Sequence, residues 1–227
     1  MNLNFFLISL IAYLIGSFPT AYLLVKKFSG QDIRKIGSGN VGAMNVIRAL
    51  KEKSSKLAAA GFLIVLMVDM AKGALVIFLA QKILLGSLIG LILATFFVIL
   101  GHNYSVFLKF SGGRGAASLI GILLYLDIFS FLIWGSIMVL SSIVAQIILE
   151  KIGIAKKINW KKISEIVSLL GKQMVGRMGG LMAGPIPLYF YNPQVFAIVV
   201  AGTILLLIKN IPRIKGYLES GGEIHGD

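Results

Sequence analysis

The chain has 227 residues, 57% apolar and 14% charged, with a mean hydropathy of +0.91. Soluble domains carry roughly 45–50% apolar and about 25% charged residues, so the composition excludes an ordinary soluble enzyme, a disordered tail and a DNA-binding domain. The formal charge of +13 has no soluble domain to sit in and must lie in short loops. There it points to membrane topology and to anionic headgroups or substrates rather than nucleic acid.

A bilayer core about 30 Å thick takes about 20 apolar residues per helical span. The length therefore predicts six or seven spans and one polytopic domain over residues 1–227. With no cysteine, disulfides and thiolate chemistry are excluded. Span one is expected from about Asn4 to Val25, closed by Lys26 and Lys27. It is too long for a signal-peptide core and lacks an A-x-A-like site, so it reads as retained. A basic polar segment, 26–57, follows. Span two is expected from Leu57 to Ala80, with Asp69 and Lys72 inside it, and span three from Leu84 to Leu100. A Gly-rich loop occupies 101–115. The apolar run from Ala116 to Leu149 exceeds one crossing, and Asp127 is the natural place to split it into a short span four and a full span five. A second basic loop occupies 150–165. Span six, Ile166 to Tyr189, is interrupted by Lys172, Arg177, glycines and two prolines; Asn192-Pro193 turns the chain into span seven, Val195 to Ile208, and a polar tail.

With seven spans, loops 26–57, 101–115 and 150–165 and the tail share one side and hold 18 of the 22 basic residues. The positive-inside rule then places the N-terminus outside and the C-terminus in the cytoplasm. The expected fold class is thus an all-α integral membrane protein of about seven transmembrane helices.

Four groups of residues could carry chemistry. Gly37-Ser38-Gly39-Asn40-Val41-Gly42-Ala43, with Asn45 and Arg48, allows close backbone approach and an anion-binding nest, and Arg48 can fork onto a phosphate. The same residues read equally as a flexible loop joining two helices. Gly101-His102-Asn103-Tyr104-Ser105, Lys109 and Gly112-Gly113-Arg114-Gly115 open into an apolar helix, an architecture suited to anion capture, without Walker A spacing. His102 suits either an acid/base role or a structural hydrogen bond. Asp69 and Lys72, at i and i+3, can pair on one helix face, for packing or for catalysis. Asp127 fits an interfacial position. Lys209-Asn210-Ile211-Pro212-Arg213 with Glu219 and Glu223 reads on its own as a solvated end. Two histidines and no carboxylate cluster give no metal site. Jointly, these groups imply an anion, a phosphate above all, handled at the membrane surface.

The chain resembles the bacterial acyl-phosphate:glycerol-3-phosphate acyltransferase family. Residues Gly16 to Leu24 look like the family's first span; Gly37 to Arg48 match its first motif, with Met44 where Thr is usual. Asp69-Met70-Ala71-Lys72-Gly73 is similar to its second span. Gly101 to Ala117 match its second motif, with Arg114 where Lys is common. The resemblance implies transfer of an acyl group from acyl-phosphate to the 1-hydroxyl of glycerol-3-phosphate, giving lysophosphatidic acid and phosphate. It implies a site facing the cytoplasm from a bacterial inner membrane, and no cofactor, metal, nucleic acid or obligate protein partner. It assigns Ser38, Arg48 and Asn210 as catalytic. Asn40, Asn45, His102, Lys109, Gly112, Gly113, Arg114 and Gly115 become phosphate-binding, with Asp69 and Lys72 in support. The third motif departs from the family's pattern. Asn210-Ile211-Pro212-Arg213 fits, but Leu207 holds the family's His position, and Gly221-Gly222-Glu223 restores the ending only at a shifted spacing. His102 or His225 could substitute, though neither stands at the motif position. Two alternatives remain: a catalytically weakened relative that binds a phosphorylated lipid or glycerol-3-phosphate without turnover, and a transporter, which the one-sided loops and lack of a repeat disfavour.

Overall fold

The computed structural model describes residues 3–162, 165, 169 and 173–219. The described part is helical throughout: α1 Leu3–Ser17, α2 Thr20–Ser29, α3 Ala43–Leu50, α4 Ser55–Ile83, α5 Leu88–Asn103, α6 Ala116–Leu126, α7 Ile128–Lys151, α8 Met174–Ala183, α9 Ile186–Tyr191 and α10 Pro193–Glu219. Two 3₁₀ turns, Ile33–Lys35 and Val106–Leu108, sit in the loops. Four segments are long and apolar enough to cross a membrane: Leu3–Ser29, Ser55–Ile83, Ile128–Lys151 and Pro193–Gly216. At about 1.5 Å per residue, the 16 residues of α5 and the 11 of α6 fall short of about 30 Å on their own.

The apolar run 116–149 breaks where expected. Asp127 caps α7, accepting from the backbone N–H groups of Phe129 (3.2 Å) and Ser130 (3.0 Å). Its own extended backbone ends α6. These hydrogen bonds and that of the Ser130 hydroxyl hold the carboxyl below its ordinary pKa. Span one is two helices rather than one, because Pro19 has no N–H to donate. The Phe18 carbonyl beside it accepts from Thr20 N–H at 3.1 Å and from Lys72 Nζ at 2.6 Å. Span six also divides, into α8 and α9, at Gly184-Pro185. Its first part, including Ile166 and Lys172, lies outside the described residues, as do Gly221, Gly222, Glu223 and His225. The expected polar tail is instead the continuation of α10, in which Lys209 and Arg213 are half-buried and Asn210 is buried.

Helices meet through small residues, the usual device where lipid supplies no hydrophobic contrast between helices. Gly16 and Gly101 seat α1 against α5, facing the backbones of Val98 and Tyr13, and Gly73 and Gly121 seat α4 against α6, facing those of Ser118 and Met70. A Cβ at any of the four would overlap that backbone. Large side chains point outward along the long helices, including Leu63 and Met67 on α4 and Leu132 and Val144 on α7. On a soluble monomer such apolar surface would be anomalous; here it is the lipid face.

Candidate active site

The first Gly-rich loop is held from within. Asn45, buried on α3, donates its side-chain N–H groups to the carbonyls of Ile33 (3.1 Å), Ile36 (2.9 Å) and Asn40 (3.0 Å). These donors are consumed by the loop, so Asn45 holds the loop's shape and is not placed to donate to a phosphate, contrary to the expectation from sequence. Gly37 and Gly39 take positive φ, 51° and 67°, which lets the loop turn back over α3. Ser38 is thereby set beside Arg48: Nη1 of Arg48 donates to the Ser38 hydroxyl at 3.2 Å. Asn40 is half-buried in the same loop.

The two Gly-rich loops are stitched together. Val41 N–H donates to the Gly112 carbonyl at 3.3 Å. Arg34 spans the gap, donating to the Leu108 carbonyl (3.2 Å) and the Ser111 hydroxyl (3.4 Å) while paired with Asp32 at 2.6 Å. That guanidinium holds the Asp32 carboxyl down at about 2. In the second loop Gly113 N–H donates to the His102 carbonyl at 2.9 Å, and Gly115, at φ 80°, begins α6. Gly112 packs directly on the carbonyls of His102 and Asn103, where no Cβ fits. Lys109 sits exposed at the loop tip in the left-handed region, φ 55°. No described contact brings it to the other cations, so the structure does not join Lys109 to the cluster.

α10 is clamped to this floor. Asn103 donates to the Leu205 carbonyl at 3.3 Å, and Lys209 Nζ returns to the Asn103 carbonyl at 2.7 Å, 4.1 Å from the Tyr104 ring centroid. Asn210, assigned as catalytic by motif, is buried and donates its side-chain N–H to the Leu206 carbonyl one turn back, at 2.7 Å. Leu207 packs against the main apolar core.

Four cations lie within electrostatic range of Arg114: Arg48, Arg177, Lys209 and Arg213. Burial, reinforced by Arg48, pushes the Arg114 guanidinium below its ordinary range. Among the described residues no carboxylate acts on Arg114, Arg177 or Lys209. The sequence reading places Arg48 and Arg114 in the Gly-rich motifs and Lys209 and Arg213 in a separate group that reads as a solvated end, and it gives Arg177 no role. Arg177 was an interruption of span six, and Lys209 and Arg213 were counted with the tail. A cation inside an apolar stretch was the available signal.

A second polar group lies behind the loops. Asp69 and Lys72 pair at 2.6 Å, both buried, and Lys72 also reaches the Phe18 carbonyl. His102, buried at the end of α5, turns Nδ1 toward Asp69 Oδ1 at 3.9 Å and sets Nε2 against Gly113. Its ring therefore supports the loop from behind rather than facing the arginines. A small recess lined by Ser17, Phe18, Thr20, Asp69, His102 and Gly113 has room for about one water.

Fold and site together define a helical integral membrane protein in which five cations gather beside two Gly-rich loops. A family model described as glycerol-3-phosphate acyltransferase matches residues 6–219, and the chain belongs to that family. Glycerol-3-phosphate acyltransferase 2 of Moorella thermoacetica is 44% identical over 135 residues, 58% of this chain and 65% of its own length. The enzyme of Carboxydothermus hydrogenoformans is 40% identical over 143 residues, 61% of this chain and 68% of its own. That of Helicobacter pylori strain 26695 is 43% identical over 120 residues, 53% of this chain and 54% of its own. The chain thus spans about half to two thirds of the length of the curated relatives it matches. Crystal structures of PlsY (YgiH), an integral membrane glycerol 3-phosphate acyltransferase, in glycerol 3-phosphate and lysophosphatidic acid forms, share the fold. For each the TM-score is 0.65 at 23% identity, covering 97% of this chain and 94% of that one.

Proposed function

We propose that the protein transfers a fatty acyl group from acyl-phosphate to the 1-hydroxyl of glycerol-3-phosphate, yielding lysophosphatidic acid and inorganic phosphate. The observation that carries this reading is the cluster of Arg48, Arg114, Arg177, Lys209 and Arg213 around Arg114, set beneath two loops rich in glycine. Two anionic substrates repel each other, and cations with aimed N–H donors remove that repulsion and stabilise the departing phosphate. Holding the hydroxyl beside the acyl carbon supplies proximity.

In this reading Arg48, held by Ser38, and the Gly112–Gly115 loop with Arg114 bind the phosphates. Asn40 supplies a neutral contact, and Ser38 orients an acyl or phosphate oxygen. Asn45, His102, Asp69, Lys72 and Asn210 hold the loops and α10 in place. The hydroxyl oxygen attacks the acyl carbon, the carbon–oxygen bond to phosphate breaks, and the hydroxyl proton passes to the leaving phosphate. No covalent enzyme intermediate is needed, and Leu207, partly buried against the apolar core, takes no part.

The chain is read as one domain of seven spans, N-terminus outside and C-terminus cytoplasmic, in a bacterial inner membrane. The basic loops set that orientation. Purified protein given palmitoyl-phosphate should release phosphate only when glycerol-3-phosphate is present, with lysophosphatidic acid as product. A second reading, a relative that binds without turnover, is favoured by Leu207 alone. Leu207→His separates the two: a sharp rise in activity supports a decayed site, and unchanged activity supports proton transfer to the leaving phosphate.

A further inference from the structure

The basic segment after α7 is not among the residues of the site. Residues 151–162 carry Lys151, Lys156, Lys157, Lys161 and Lys162, all exposed. The chain does not leave the end of α7 freely. It turns at Gly153, φ 78°, where the N–H groups of Ile154 and Ala155 donate to the Leu149 carbonyl at 2.9 and 3.0 Å. It then runs back beside the helix. Gln146, buried on α7, donates to the Lys156 carbonyl at 3.0 Å, and Ile158 N–H donates to Glu150 Oε1 at 3.0 Å. Gln173, also buried, donates to Gln146 at 2.9 Å and fixes it.

Residues 150–165 hold five lysines against two carboxylates. Glu165 pairs with Lys162 at 3.5 Å and accepts from Asn159 N–H at 2.7 Å, while Glu150 accepts from Gln146 and the Ile158 backbone. Among the described residues no carboxylate pairs with Lys151, Lys156, Lys157 or Lys161.

The depth of the segment follows from helix length. About 20 residues cross a bilayer core of about 30 Å, and counted from the start of α7 at Ile128 they end near Ile147. A segment hydrogen-bonded to Gln146 and Glu150 therefore lies at the edge of the core, level with the headgroups. Lysines that only orient a span during insertion need charge and nothing more. This segment also exposes Ile152 (60%), Ile154 (53%) and Trp160 (40%). Tryptophan gathers at membrane interfaces, and lysine stems lie along apolar surface while the ammonium reaches out to phosphate. A soluble polyanion would answer the charge and leave Ile152, Ile154 and Trp160 in water, whereas an anionic bilayer surface answers both.

We propose that residues 151–162 form a binding surface for anionic phospholipid headgroups, with Lys151, Lys156, Lys157 and Lys161 meeting the phosphates and Ile152, Ile154 and Trp160 set into the interface. The surface goes beyond the acyltransferase reading and does not depend on it.

The chain has two tryptophans, and Trp134 is buried on α7, so Trp160 reports on the segment. Full-length protein is placed in phosphatidylcholine nanodiscs doped with brominated phosphatidylglycerol or with brominated phosphatidylcholine, and bromine quenching of Trp160 is compared. A Trp160→Phe variant supplies the Trp134 background. The phosphatidylglycerol should quench with an apparent association constant about 5-fold or more higher, the contribution of one lysine near an anionic surface. Added salt should shrink that preference. Lys156→Gln with Lys157→Gln and Lys161→Gln should abolish it while leaving quenching by the phosphatidylcholine unchanged. Equal quenching by the two lipids, or a preference indifferent to salt or to the triple substitution, overturns the proposal. If heparin binds through these lysines while the two lipids quench alike, the surface serves a soluble polyanion and the proposal fails. Should the triple variant not fold, Lys157→Gln alone is expected to lower the preference, and an unchanged preference overturns the proposal.

Discussion

Two charged groups adjoin the Gly-rich loops and are opposite in electrostatic character. Asp69 and Lys72, with the His102 ring beside them, form a closed set: the two charges pair at 2.6 Å, and Lys72 also donates to the Phe18 carbonyl. Arg114, Arg177 and Lys209 form an open set, with cations beside cations and no carboxylate acting on them among the described residues. The difference separates structure from function better than burial does. Charges that neutralise one another hold helices together, and charges that do not are waiting for something negative. The same contrast predicts different consequences of mutation: closed-set changes should strike stability, and open-set changes should strike turnover.

The largest expected effect is in the closed set. Asp69→Asn leaves Lys72 buried without its counter-ion, a defect that typically costs about 3–5 kcal/mol. The thermal midpoint should fall steeply. Asp69→Asn with Lys72→Met should regain much of the loss, because no uncompensated charge remains. If the double variant were no more stable than the single one, the pair would not be acting as a neutralised unit.

Beside the open set, Arg48→Gln should lower kcat/KM by about 10²–10³-fold, the usual consequence of removing one donor to a developing charge. The melting behaviour should change little. Ser38→Ala should follow in the same direction, since Ser38 positions Arg48. Wild-type turnover in both variants would sink the assignment of the first loop. Because the cluster attracts anions through solvent, the KM for both substrates should also rise with ionic strength.

Asn45 tests the boundary between the two sets. Asn45→Asp removes the N–H groups that three loop carbonyls share and puts a negative charge among them. Unsatisfied buried acceptors cost about 1–3 kcal/mol. Stability and turnover should drop together, with the KM for glycerol-3-phosphate rising as the loop loses its shape. A fall in kcat with an intact loop and unchanged stability would restore Asn45 to direct phosphate contact.

Much of the architecture was legible in the sequence because it is written in local chemistry. The run from Ala116 to Leu149 is too long for one crossing, and Asp127 is a good helix cap, so the break between α6 and α7 could be placed to the residue. Both Gly-rich loops were equally plain. What could not be read was pairing at a distance. Nothing near Arg177 in the chain indicates that it shares a bowl with Arg114, since the packing of α8 on α7 decides that. Lys209 and Arg213 looked solvated because the hydropathy falls after Ile208, yet α10 continues and Asn103 draws it onto the floor of the site. The resemblance makes His102 and Asn45 phosphate ligands, whereas the Asn45 amide serves the loop's own carbonyls and the His102 ring lies between Asp69 and Gly113.

The smallest effect concerns a closed pair that borders the open set. Asp32 and Arg34 tie the first loop to the second, and both are partly exposed. Such pairs contribute at most about 1 kcal/mol, so Asp32→Asn should lower the thermal midpoint only slightly at neutral pH. The sign of its pH dependence is fixed by the depressed carboxyl. Folded Asp32 titrates at about 2 against an ordinary 3.8, so the unfolded chain takes up a proton first as the pH drops. The stabilisation is whole above the ordinary value and is lost as pH falls toward 2. The gap in midpoint between wild type and Asp32→Asn should therefore be constant from pH 7 to about 5 and close between about 4 and 2. A gap that widened on acidification would mean that Asp32 is better off protonated in the folded chain, and that Arg34 bridges the loops without it.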